Sequence, residues 1–164
     1  MDNEVAELFL DVSCRKLDAM TTNLQVCLGK LTDKQIWARG GAHENAIGNL
    51  VLHLCGNMRQ WIMHGIGGAQ DVRVRDTEFN ARGNPDRLAL MELFASTVAE
   101  ARGVIGCLAI ARLVEKTTPQ KREVSVLEAI YQVVAHVEQH VGQIVLLTKQ
   151  MTAADLDLTI PRPH

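Results

Sequence analysis

Residues 125–150 read SVLEAIYQVVAHVEQHVGQIVLLTKQ, and their pattern decides the fold class. Apolar residues recur at three- and four-residue steps, the period of an amphipathic helix, although the valines locally favour strands. Ser125 stands three residues before Glu128, the spacing of a capping box in which each side chain satisfies the other's backbone donor. The pattern predicts a helix from there to about Gln150. On it, His136 and His140 lie about 40° apart around the axis and about 6 Å apart along it. Two imidazoles so placed can reach one ion, by the geometric logic of HExxH motifs. Here the acidic residue, Glu138, follows His136 by two and points to the opposite side, so HExxH chemistry does not transfer.

A third ligand has to come from another helix. The segment from about Asn45 to His64 is predicted helical, and Gly65, Gly67 and Gly68 end it. Mid-way along it, His53 interrupts the apolar run Leu50-Val51-Leu52-His53-Leu54, where a bare imidazole is costly without a partner. Asn49, His53, Asn57, Gln60 and His64 fall within an arc of about 80°. Gln132, His136, His140 and Gln143 occupy a similar arc on the last helix. Two polar stripes on core-forming helices imply a shared polar interior.

Working further outward, a first helix is predicted from about Asn3 to Lys30, with Val5, Phe9, Val12, Met20, Leu24 and Cys27 as its apolar stripe. Thr32 is placed to cap a short turn carrying Ile36 and Trp37. Between Gly65 and Asn84 lies a polar stretch, too poor in apolar residues for a core element. Connections this long in a compact domain tend to be functional, and this one can return along the full length of a helix. Asn84-Pro85 is expected to start the next helix as cap and first-turn proline. Its stripe is Met91, Phe94, Val98, Ala101, Ile105 and Leu108. Glu115 to Glu123 reads as a loop, and the tail LDLTIPRPH as irregular. Four long amphipathic helices in one short chain predict an all-α, antiparallel four-helix bundle in a single domain spanning residues 1–164.

Composition narrows the function. The net charge of −2, from 17 basic and 19 acidic residues, provides no excess for neutralising phosphates, so a general nucleic-acid partner is not expected. No apolar run approaches the roughly 18 residues that span a bilayer, and the start MDNEVAELF lacks a signal-peptide pattern; no membrane partner and a cytoplasmic location are the expectation. Cys14, Cys27, Cys55 and Cys107 form no CxxC pair and are read as small buried hydrophobes. Cys55, two residues from His53, points about 200° away and cannot join it at an ion.

Three neutral imidazoles suit Zn²⁺, Ni²⁺, Fe²⁺ or Cu²⁺ better than Mg²⁺ or Ca²⁺. Three protein ligands leave a position open, the catalytic rather than the closed structural pattern. Asn49, Asn57, Gln132 and Gln143 are candidates to orient the rings or contact a substrate. His64, at a helix end where the dipole favours a cation, is the one nearby candidate base. His43 and Glu44 read as exposed or capping residues, and Trp37 and Trp61 as packing residues. Spacing alone leaves a second account open: HxxxH arises often without a metal, and a core histidine usually bonds to protein.

The segments NLVLHLCGNMRQWI, Asn49 to Ile62, and LEAIYQVVAHVEQHVGQI, Leu127 to Ile144, resemble the DinB-like (DinB/YfiT) superfamily, and look closest to its DUF1572 branch. The likeness extends over the bundle and includes LTDKQIW, after the first helix. It implies a metal triad at His53, His136 and His140, for which the all-imidazole set makes zinc or nickel the expected ion, and an up-down-down-up bundle with a long crossover between the second and third long helices. It also implies a homodimer. The activity it implies is a low-molecular-weight-thiol-dependent S-transferase or related detoxification enzyme, with such a thiol as cosubstrate. The alternatives are a metal-dependent hydrolase, and a non-enzymatic, stress-associated dimer stapled by the ion, in which His43, His64 or His164 fills the fourth position.

Overall fold

A computed structural model describes residues 2–41 and 43–158. The chain is mostly helical. Its α-helices are α1 (Asp2–Gly29), α2 (Asp33–Ile36), α3 (Ile47–Met58), α4 (Arg75–Asn80), α5 (Arg87–Gly106) and α6 (Val126–Thr152). A two-stranded antiparallel sheet pairs β1 (Lys116–Thr117) with β2 (Val124–Ser125), a feature that the reading of Glu115–Glu123 as a loop did not include. The terminal residues of the tail, His164 among them, lie outside the described residues.

The long helices enclose one core whose buried side chains include Leu17, Leu28, Leu54, Ile62, Phe94, Ile105, Val133 and Val137. The stripe predicted on α5 faces it, with Phe94, Val98, Ala101, Ile105 and Leu108 buried. The α1 stripe is met only in its second half: Leu24 and Cys27 are buried as expected, with Leu17 and Leu28 beside them, while Val5 and Val12 are exposed. The amino-terminal half of α1 thus offers little to the core, which helical period alone could not reveal. Cys27 and Cys55 are buried as expected, and burial pushes the Cys55 thiol up to about 12. Cys14 is half-buried, and Cys107 is exposed because it sits just beyond the last turn of α5.

Side-chain pairs give the helix directions. Lys16 Nζ donates to Glu138 Oε1 at 2.8 Å and Cys27 bonds to Thr148, so α1 and α6 run the same way. Cys55 meets Thr97 and Arg59 faces Glu100, so α3 and α5 also run the same way. His53 meets His136 while Leu50 shares a cleft with Gln143, so α3 opposes α6. Parallel α3 and α5 cannot be joined by a tight turn, and the polar connection spans the distance.

Two boundaries differ from expectation. The second long helix is α-helical only to Met58, and Arg59–His64 form a π turn. Such widened turns recur at functional sites. The α5 cap is not Asn84 with Pro85 but Asp86, whose side chain accepts from the Ala89 amide at 2.9 Å. Pro85 follows a cis peptide bond, and its carbonyl accepts from Trp37 Nε1 at 3.1 Å. At α6 the predicted capping box is present: Ser125 Oγ accepts from the Glu128 amide at 3.2 Å, and Glu128 Oε2 accepts from the Ser125 amide at 2.6 Å. Ser125→Ala is expected to lower stability by about 1 kcal/mol, measured by urea unfolding; an unchanged midpoint would mean the cap is energetically idle.

Candidate metal centre

The three histidines converge. Ring nitrogens of His53, His136 and His140 all lie within 4.8 Å of one another. His53 Nε2 and His136 Nε2 are 2.9 Å apart. A tetrahedral ion with bonds of about 2.0–2.1 Å sets neighbouring ligand nitrogens about 3.3 Å apart, so small ring shifts suffice and the donor set fits a transition metal. The rings stand nearly perpendicular, with interplanar angles of 78°, 87° and 86° for the three pairs.

Helix geometry explains the convergence. His136 and His140 project from successive turns of α6, and the buried Val133, Val137, Val141 and Ile144 pin the neighbouring stripe in the core. His53 faces them from α3, between the fully buried Val51 and Leu54. Burial holds His136 down to about 4, and the charge that would develop on His140 and His53, with that of Arg73, adds to this. Burial also lowers His140, partly offset by its bond to Gln143. Neutral imidazoles with free lone pairs are what a metal requires.

The other predicted residues are distributed differently. Gln143 Oε1 lies 2.7 Å from His140 Nδ1 and is placed to orient that ring. Asn49 is fully buried but ties down the crossover: it donates to the carbonyls of Glu78 and Ala81 at 2.8 and 3.1 Å and accepts from Arg39 at 2.6 Å. Asn57 is buried one turn beyond His53 with an unpartnered Oδ1. Gln132 is exposed. His64 is exposed at the end of the π turn, its Nδ1 2.6 Å from the Ala69 carbonyl, and is not one of the clustered histidines.

Residues of the polar connection complete the site, and sequence reading missed them. Glu78 Oε2 lies 3.0 Å from His53 Nδ1. Arg73 grips the same carboxylate with two bonds, Nε to Oε1 at 2.7 Å and Nη2 to Oε2 at 2.8 Å. Burial works against the Glu78 charge, but the bonds from Arg73 and His53 outweigh it and hold the carboxyl below its usual range. Arg73 Nη1 also donates to Gln60 Oε1 at 3.0 Å. The Phe79 ring lies 4.9 Å from that of His53. The available signal was the length of the connection; nothing local distinguishes Glu78 from the segment's other acids.

The arrangement defines a class: a helical protein of DinB-like fold with three histidines gathered across two helices. The fold assignment is supported by the crystal structure of a DinB-like protein from Bacillus cereus ATCC 10987, with a TM-score of 0.67 over 93% of this chain and 95% of that one, at 14% identity. The chain belongs to the family DUF1572, described as a protein of unknown function, whose match spans residues 4–164. No curated protein matches it in sequence. Among the described residues, no helix is long and apolar enough to cross a membrane.

The depressed His136 predicts a pH response. Its folded-state value, about 4, lies below the ordinary 6.5, so the unfolded chain takes up the proton first. The metal-free protein should hold this contribution above about 6.5 and lose it as pH falls toward 4. His136→Gln should flatten that part of a melting-temperature profile; an identical slope in both proteins would rule out His136 as the source.

Proposed function

We propose that the protein is a metal-dependent enzyme holding one divalent transition ion, zinc or nickel, on His53, His136 and His140. The observation that carries this reading is the mutual approach of three imidazoles on two facing helices, α3 and α6; the helix directions support our reading of the fold as an up-down-down-up four-helix bundle. Chance HxxxH spacing does not explain why a third ring meets the pair. The set is nitrogen-only, which favours these ions over magnesium or calcium. His136 and His140 are half-buried, so solvent and small molecules have access to their side of the cluster.

The proposed reaction is transfer involving a low-molecular-weight thiol. A bound ion would supply acidification of a coordinated thiol, forming the nucleophile near neutral pH. The chain's own residues supply orientation. Gln143 fixes the His140 ring and also lines a cleft of about 290 Å³ with Leu50, Leu146, Leu147, Glu44 and Asn45. The apolar walls of that cleft suit the carbon skeleton of a substrate beside the ligand set. Hydrolysis by the same centre is the competing chemistry, and an activity screen with and without thiol separates the two. The stapled, non-enzymatic alternative draws no support from His43, which is exposed, or from His64.

The reading extends to a homodimer. Val5, Leu8 and Val12 on α1 and Leu127 and Tyr131 on α6 are exposed. The Lys16–Glu138 pair sets the register of these parallel helices, so the two rows run side by side along one seam. An apolar seam of this kind suits a second copy of the chain better than water.

Two measurements test these statements. Purified or titrated wild type should take up about one equivalent of zinc or nickel. His140→Ala should lose tight binding yet remain folded, since alanine favours helix and Val137 and Ile144 keep their packing. No uptake by wild type would end the metal reading. Unchanged uptake by the variant, with a large fall in metal-free melting temperature, would make His140 structural. Light scattering at micromolar concentration should give a dimer mass, and the double substitution Leu8→Glu, Tyr131→Glu should give a monomer. A monomeric wild type would overturn the dimer, and an unaltered mass for the variant would move its interface elsewhere.

A further inference from the structure

His53 has two ring nitrogens, and only a nitrogen carrying a free lone pair can bind an ion; in the neutral ring the other carries the hydrogen. The choice of tautomer therefore decides whether His53 can be a ligand. Its Nε2 faces His136, while Nδ1 lies 3.0 Å from Glu78 Oε2. A carboxylate offers only lone pairs. The hydrogen between these atoms must come from the ring, which leaves Nε2 bare toward His136 and His140. Arg73 Nη2 also approaches Nδ1, at 3.1 Å. If its hydrogen went there, the ring hydrogen would move to Nε2 and close the ligand position. The carboxylate decides between them: Glu78 Oε2, 2.8 Å from Nη2 and 3.0 Å from Nδ1, can only accept, and its charge draws the hydrogens of both nitrogens toward itself.

Backbone placement supports the same assignment. Asn49 Nδ2 holds the Glu78 carbonyl, and Arg39 Nη2 donates to the Phe79 carbonyl at 2.8 Å. These anchors tie α4 to the chain around the start of α3. Phe79 packs against the His53 ring, and the Arg75 guanidinium lies 4.7 Å over Phe79. The approach of α4 depends on Gly56, where an added Cβ would collide with the Glu78 carboxylate and crowd Arg73 Nε. Glycine inside a helix is otherwise unfavourable; here it makes room for the carboxylate.

We propose that α4 is a positioning clamp for the metal centre, in which Glu78, gripped by Arg73, sets the His53 tautomer and Phe79 holds the ring plane. The proposal rests on the metal reading for its consequence, but the tautomer itself belongs to the metal-free protein. The crossover then forms part of the site: a residue 25 positions from His53 decides whether that histidine presents a lone pair to an ion.

The test uses the full-length protein. Nitrogen-15 shifts of the His53 ring in metal-free wild type, assigned with His53→Gln, should show hydrogen on Nδ1 and a bare Nε2. Hydrogen on Nε2 would overturn the clamp without recourse to any variant. Zinc competition against a chromophoric chelator should give Glu78→Gln an affinity about 10–100-fold weaker than wild type, with the tautomer no longer held. Gly56→Ala should weaken affinity in the same direction although alanine is the better helix former. If Glu78→Gln lowered only the metal-free melting temperature, leaving affinity and tautomer unchanged, Glu78 would be merely structural and the proposal wrong. If wild type bound no zinc, the metal reading would fail, and the ring shifts would still decide the tautomer.

Discussion

An imidazole buried in a helix face must satisfy both ring nitrogens, and this requirement at His53 organises the rest of the site. One nitrogen meets His136 across the α3–α6 seam, and the other meets Glu78 from the crossover. Neither partner is local in sequence, so the requirement is met only when α3, α6 and α4 are assembled together. An unpaired polar group there would cost about 1–3 kcal/mol, a large share of the stability of a domain this size. The same contacts that relieve the burial of His53 also aim its Nε2 at the other two rings.

The crossover has two jobs for one reason. Because α3 and α5 run the same way, the chain must travel back along the molecule between them. A return segment is poor in apolar residues and cannot hold itself in place by burial. It is held by side-chain and backbone hydrogen bonds: Arg73 to Glu78 and Gln60, Asp71 to Gln60, and Asn49 to the carbonyls of Glu78 and Ala81. Gln120, near the sheet, adds a bond to Gln60 at 2.9 Å. This network runs from the β1–β2 connection to His53. It also explains how a buried arginine is tolerated, since its guanidinium is gripped by a carboxylate and an amide.

The π turn at Arg59–His64 shows how tertiary packing overrides a simple helical count. Helical arithmetic with 3.6 residues per turn put Gln60 and His64 in one arc with His53. Gln60 still reaches the Arg73 that contacts His53, whereas His64, at the far end of the widened turn, is exposed beside Ala69. Likewise, the period of α1 identified a helix and the buried Leu24 and Cys27, but not that its amino-terminal half is left uncovered. Leu8 and Val12 have the same character as Leu17 and Leu24, and only the neighbours decide which are covered.

Sequence by itself determined the elements that rest on local chemistry. The three-four period of residues 125–150 and the Ser125–Glu128 box determined α6, and Thr32 marked the cap of α2. The four-residue spacing of His136 and His140 placed two rings on one face, because a helix relates such positions whatever surrounds it. His53 was legible through its cost, as the polar residue in an apolar run. What only the tertiary structure decided was everything that depends on meeting across the fold: the approach of His53 to the pair, the exposed row on α1, and the choice of Glu78 and Arg73 from a segment with several acids and arginines. Those two residues carry no periodic or capping signal. Their roles come from chain direction and from the space at Gly56, which no window of neighbouring residues contains.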